Sequence, residues 1–489
     1  MKNIFLKSIF FLGFVLIISS CTKNFDEINT NPNAPTEVNS SLLLPQITRD
    51  MMGSLLGETW GIGNIVIQHT AKNQFVNEDR YLWGELNGIW NSVYSNLRDL
   101  NNVLVQSEEL GQNNYKGIAL VLKSWMFSLA TDAYGDIPYS EAIQAKEGVN
   151  YPKYDTQESV YNGILADLAE ANQILGTSAE VVAGDVIYNG DVQQWRKLAN
   201  SLRVRYLLRI SNKRDVSAEL AAIVNDPAGN PVFESVADNG VYNYLSSSPD
   251  QFPNFSNRVG SFNEFRAGKT LLDTLVSLDD DRLTIFFRET PETEGTGYPE
   301  YVGIPNGLDD VAALQYNGGP QAQSRISALY FENATTEQGL QVAKGVFMTY
   351  AELQFLLAEA AERGLITGNA GDYYVNGIKG SFEFYGLQAD DAYLNQPQVA
   401  YTGSKQEKLA RIGFQKWISL YFQGMEAWFD WRRTGMPALL PGVDNQNDDR
   451  IPVRFIYPII EQALNGENRD EAVSRQGTDD INTKMWYLK

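Results

Sequence analysis

"GIWNSVYSNLRDLNNVLVQSEELGQNNYKGIALVLKSWMFSLATDAY", residues 88–134, carries two apolar stripes with a polar break between them. In the first, Trp90, Val93, Tyr94, Leu97, Leu100 and Leu104 recur at steps of three and four, the period of an amphipathic helix. In the second, Ile118, Val121, Leu122, Trp125, Met126, Leu129 and Ala133 repeat that step. The break "GQNN" at 111–114 has room only for a turn, so the two helices should pack antiparallel.

The same pattern returns along the chain. A second pair spans roughly 155–175 and 191–210, with Asp155 and Glu158 spaced like a capping box at its start. Arg196, Lys197, Arg203, Arg205 and Arg209 crowd its second helix and are read mainly as partners for the acidic surplus, with a ligand role as the second reading. A third pair covers 350–364 and 370–385. Its Ala370, Tyr374 and Gly377 follow the small–aromatic–small spacing of a tetratricopeptide second helix. A further long helical stretch runs over 406–429. Residues 227–345 differ: they are rich in Gly, Pro, Asn, Ser and Tyr, with one clear helix near 269–278. The expected fold class is all-α dominated, a tetratricopeptide-like helix-pair α-α superhelix with a loop-rich insertion. Helix pairs should occupy about 86–210 and 349–430. Loops on a rigid helical scaffold are where binding surfaces usually lie.

Composition narrows the chemistry. The 489 residues hold 39 Lys and Arg against 60 Asp and Glu, a net charge of −21 that disfavours nucleic-acid binding. The single cysteine excludes an internal disulfide framework and any metal site needing several thiolates. His69 is the only histidine, set in an apolar stretch, and reads as a core or cap residue rather than a general base. No phosphate-binding glycine loop is present. Acidic clusters at 279–281 and 444–449 lack the glycine and glutamate positions of a calcium-binding EF-hand loop, so both read as solvated turns and no cofactor is expected. No spacing singles out a carboxylate pair for glycoside hydrolysis.

At the amino terminus, Lys2 and Lys7 accompany an apolar run ending at Ile18, the layout of a secretory signal peptide. Ile18-Ser19-Ser20-Cys21 resembles the bacterial lipobox, in which the thiol takes a diacylglycerol and the leader is removed. Cys21 is therefore expected to be lipidated, and two acyl chains anchor a protein stably where one does not. The expected organisation is a signal peptide at 1–20, a lipidated terminus and flexible Asn/Thr/Pro-rich tether at 21–40, and a single domain at 41–489.

Aromatic residues make up 12% of the chain, and several sit among polar loop residues, as in "NQFVNEDRYLWGE" (73–85) and "GTGYPEYVG" (295–303). Sugars offer an apolar C–H face that stacks on flat rings and hydroxyl edges that suit Asn, Asp and Arg.

Five blocks in order carry a family resemblance: "LATDAYGDIPYSEAI" (129–143), "TQESVYNGILADLAEA" (156–171), "LDDDRL" (278–283), "FQGMEAWFDWRRTGMPAL" (422–439) and "RIPVRFIYPIIEQALN" (450–465). With the lipobox and tether, they resemble the SusD/RagB-like outer-membrane lipoproteins of Bacteroidetes, in the second-type SusD-like subgroup. "YPII" lacks the proline often found after the isoleucine in that family. The resemblance implies four tetratricopeptide-like helix pairs under a loop-rich ligand face. It implies a cell-surface, lipid-anchored protein that binds an oligosaccharide without catalysis and delivers it to a TonB-dependent transporter of the SusC type. Peptides are the ligand in some members, so a peptide remains the alternative, followed by a hydrolase or a pure protein-interaction scaffold. Family members place ligand contacts in the loops at this point and in the middle insertion. The candidate ligand contacts are thus Asn73, Asp79, Arg80, Tyr81 and Trp83, with Tyr298, Tyr301 and Tyr316 from the insertion.

Overall fold

The computed structural model describes residues 39–489, and Ser40–Lys489 forms one compact unit. The signal peptide, Cys21 and most of the tether lie outside the described residues. Helices dominate: α1 (Ser40–Glu58), α2 (Gly88–Leu110), α3 (Asn113–Tyr134), α4 (Gln157–Ile174), α5 (Val192–Ile210), α6 (Ser217–Val224), α7 (Lys269–Ser277), α8 (Tyr350–Arg363), α9 (Ala370–Phe384), α10 (Lys405–Ser419), α11 (Gly424–Thr434) and α12 (Gly466–Gln476). Among the described residues, strands form only two-stranded antiparallel ribbons. These pair β1 (Thr70–Lys72) with β5 (Phe265–Ala267), β2 (Ile137–Pro138) with β3 (Tyr154–Asp155), and β4 (Gly240–Asn243) with β6 (Lys344–Met348).

The paired helices are α2/α3, α4/α5, α8/α9 and α10/α11, with α3 on α4 and α8 on α10 joining successive pairs. The opening stretch folds as its stripes require. Val93, Leu100 and Val103 of α2 and Ile118, Val121, Trp125 and Met126 of α3 are buried. Gly111 closes α2 in the left-handed region at φ 66°, which costs glycine nothing. In α9, a Cβ on Gly377 would meet the Phe355 ring at 2.7 Å, so the small residue sets how closely α8 and α9 approach. α1, which the sequence reading passed over, packs on α2 although Pro45 lies inside it.

Two boundaries depart from expectation. Thr156, not Asp155, caps α4 by accepting from the Ser159 amide, while Asp155 accepts from the Tyr139 and Ser140 amides. The stretch 406–429 is two helices, because the chain turns at Phe422 (φ 59°) before α11 begins.

The arginines of α5 meet carboxylates. Arg205 holds Glu352 of α8 through two bonds, at 2.6 and 2.5 Å, and Arg209 pairs with Glu426 of α11. Arg433 bonds both Glu359 (2.6 Å) and Asp430 (2.9 Å), and Lys416 lies 2.8 Å from Asp430. These charges keep the Glu359 carboxyl at about 2 against a strong opposing effect of burial. The 279–281 cluster is not simply a solvated turn: Asp280 is fully buried against Arg282, which also donates to Ser381 of α9. The Asp-x-Arg element thus fastens the insertion to the third helix pair.

Candidate functional site

Beyond β1 the chain enters the 73–83 loop, and the loop is held from beneath. Asp79 accepts from the Lys72 amide (3.1 Å) and from the Asn306 side chain (2.7 Å), and the same Asn306 nitrogen donates to the Thr70 carbonyl (2.8 Å). Asn73 donates to Gln323 (3.1 Å), whose own amide reaches the Tyr316 carbonyl (2.9 Å). Arg80 donates to the Asp444 carbonyl (2.8 Å), which ties the loop to the 440–449 segment. The loop, the insertion and the carboxy-terminal segment therefore meet in one place.

Burial separates the candidate residues into supports and contacts. Asn73, Asp79 and Tyr81 are buried at the base of the loop, where Asn73 and Asp79 hydrogen-bond to the insertion, while the Tyr81 hydroxyl and the Asn73 Oδ1 have no hydrogen-bond partner among the described residues. Polar atoms removed from water need partners, and Asp79 has two. Burial raises its carboxyl to about 7 despite those bonds. Arg80 is half-buried with its guanidinium on Asp444. Trp83 is half-buried and donates its indole N–H to the Glu78 carbonyl (3.1 Å). Its ring meets Trp428 and Phe455 edge-on at 5.8 and 5.7 Å. Tyr298 is 83% exposed on a turn, whereas Tyr301 and Tyr316 are half-buried. Gln323 bridges Tyr316 to Asn73; the turn bearing Tyr298 attaches instead through Glu292 to Gln321.

The loop's most exposed ring is Phe75, 65% exposed at φ 54°. A bulky residue in the left-handed region costs of order 1–3 kcal/mol and is kept where surroundings over-determine it. The neighbouring Val76 amide donates to Asp310 of the insertion (3.3 Å), which helps hold that geometry. Phe75 lay inside the quoted "NQFVNEDRYLWGE" but was not singled out. Beside the loop lies a cleft of about 400 Å³, within the usual range of small-ligand sites. Asn306 lines it together with Gln68, Thr270, Lys269 and the exposed Leu440 and Val443. Asn306 joins the two features, lining the cleft and holding Asp79 at the base of the loop that carries Phe75.

The ionisable side chains lining the cleft are Lys269 and Asp273, paired at 2.5 Å. The buried His69 lies 3.0 Å from the Trp417 carbonyl, and burial lowers it to about 3, so it stays neutral and donates. Among the described residues, no group of three or more His, Cys, Asp or Glu side chains could hold a metal ion. No described helix is long and apolar enough to cross a membrane.

Residues 32–458 match a family model described as SusD-like, starch-binding associating with outer membrane. A SusD homologue from Bacteroides fragilis is 29% identical, with 93% of this chain and 100% of that one covered at a TM-score of 0.78. A Bacteroides vulgatus protein, described in terms of the outer membrane and nutrient binding, is 30% identical, with 92% and 100% covered at 0.79. A chitin-binding protein is 31% identical, with 92% and 100% covered at 0.78. No curated protein matches the chain.

Proposed function

This chain belongs to the SusD-like family, and on that premise we propose that it is a non-enzymatic, cell-surface lipoprotein that captures an oligosaccharide and passes it to a SusC-like TonB-dependent transporter. The observation that carries the reading is the loop face itself. Phe75 projects from a loop that Asn73 and Asp79 fasten from below, and Asn306, which holds Asp79, also lines a cleft edged by amides. A sugar ring stacks on such a platform and loses few hydroxyl contacts to water. Each hydrogen bond then nets only about 0.5–1.5 kcal/mol, so affinity is modest and release to a transporter is easy. A chitin-binding relative at 31% identity supports a saccharide ligand.

Cys21 supplies the anchor that keeps the chain in the membrane of its transporter. A glycan array run against a peptide pool tests the ligand class. Saccharide hits support the reading, and peptide hits alone refute it. Labelled palmitate entering the chain but not a Cys21→Ala variant tests the anchor. Extraction of the native chain together with a large β-barrel tests the transporter.

A further inference from the structure

We propose that Arg266, Arg288 and Arg325 form an anion-binding site that takes the carboxylate or sulfate of an acidic saccharide, an inference that rests on the saccharide reading above. Three short backbone segments lie side by side here. Ala267 donates to the Ser324 carbonyl (3.0 Å), Arg288 donates to the Arg325 carbonyl (2.9 Å), and Phe287 bridges Ile326 antiparallel. This register brings three guanidinium groups together on neighbouring strands, where like charges repel unless something compensates.

The chain carries a large carboxylate surplus, and Arg205, Arg209, Arg282, Arg433 and Arg454 use it through acidic partners, whereas the buried Arg432 donates to the Val453 and Asp132 carbonyls and packs on aromatic rings. Arg266 is 2% exposed, yet among the described residues it makes no ion pair and donates to the Asn263 and Phe265 carbonyls alone. The Nε atoms of Arg266 and Arg325 are both buried without an acceptor. Arg288 does have Glu332 at 2.9 Å. Glu289, next in sequence, accepts from the Gly295 amide at 3.4 Å, and one carboxylate oxygen each of Glu289 and Glu332 is buried without a hydrogen-bond partner among the described residues. Glu264 lies towards Lys72 at 3.9 Å. Burial and the two neighbouring arginines together lower Arg266 to about 10. An anion would supply the missing acceptors and relieve the repulsion.

The location fits a ligand rather than a structural ion. Gln323, which accepts from Asn73 at the root of the 73–83 loop, is two residues from Arg325. Gln323 is fully buried, whereas Arg325 and Arg288 are half-buried and so within reach of a charged group from solvent, with the buried Arg266 behind them.

The test is calorimetric titration of the intact chain in detergent with galacturonate oligomers, a sulfated oligosaccharide, maltoheptaose and chitohexaose. Acidic oligomers should bind more tightly than uncharged ones and weaken as salt rises. A charge-assisted hydrogen bond is worth about 1.5–3 kcal/mol, so Arg325→Gln should weaken acidic binding by about tenfold or more and leave uncharged binding unchanged. The two acidic probes decide between carboxylate and sulfate. Equal acidic affinity in parent and Arg325→Gln, with uncharged oligomers still bound, overturns the anion site alone. Failure of every saccharide sinks the proposed function and, with it, the saccharide source of the anion. Inorganic sulfate then reports on the arginines independently: a larger rise in unfolding temperature for the parent than for Arg325→Gln supports the site, and equal rises overturn it.

Discussion

Replacing Arg433 by Met should destabilise the protein by about 3–5 kcal/mol, the cost of leaving buried charges without a partner. The structure supplies a second route to that figure. Arg433 is 3% exposed and neutralises Glu359 and Asp430 together. Its charge is the main influence holding the Glu359 carboxyl at about 2 rather than 4.5, a displacement worth about 3 kcal/mol at neutral pH. Lys416 and Arg363 remain near Glu359 in the variant, at 3.6 and 2.9 Å, so part of the loss is recovered. Because the folded value is depressed, this stabilisation is full above about 4.5 and disappears as pH falls towards about 2. Chemical denaturation followed by circular dichroism, at pH 7 and again near pH 3, measures both features. The parent–variant gap should be several kcal/mol at pH 7 and should narrow in acid. A gap under about 1 kcal/mol at pH 7, or one unchanged in acid, refutes the assignment of these residues as one electrostatic unit.

Phe75→Ala should weaken saccharide binding roughly three- to tenfold, the worth of one ring contact, and leave stability nearly unchanged; calorimetry and a melting curve read both. Gly377→Ala should cost about 1–3 kcal/mol, since its Cβ would enter the Phe355 ring, and thermal unfolding reports it. Burial raises Asp79 to about 7, so its neutral form is favoured by folding. Its contribution is therefore complete below about 4 and lost as pH rises to about 7, and Asp79→Asn should flatten the fall in stability between about pH 4 and 7. Trp83→Ala should lower the unfolding temperature and saccharide affinity together, because the ring packs on Trp428 and belongs to the loop proposed to hold the ligand.

Helix pairing was legible because apolar periodicity and tertiary burial coincide in α2, α3, α8 and α9. It failed at 420–423, where Leu420, Tyr421 and Phe422 continue the apolar pattern while the backbone turns away. Periodicity reports burial, and a buried turn looks like a buried helix. The capping error at Asp155 has a similar source, since Asp155 and Thr156 are both competent caps and only β3 pairing decides between them. At the site, sequence located the 73–83 loop but not the direction of its side chains. Asn73 and Asp79 carry the same polar groups whether they pin a loop or grip a sugar. What distinguishes them is Gln323 and Asn306, more than two hundred residues away. Phe75 went unnoticed because its exposure follows from a left-handed backbone that its own residue type disfavours.

The most direct test of the central claim is saccharide binding to the intact chain and to a Phe75→Ala/Trp83→Ala double variant, measured side by side by calorimetry. Saturable heat for at least one oligosaccharide, lost or sharply reduced in the double variant while its fold survives by circular dichroism, is the predicted result. Undiminished binding in the variant, or no saccharide bound by the parent, would contradict it.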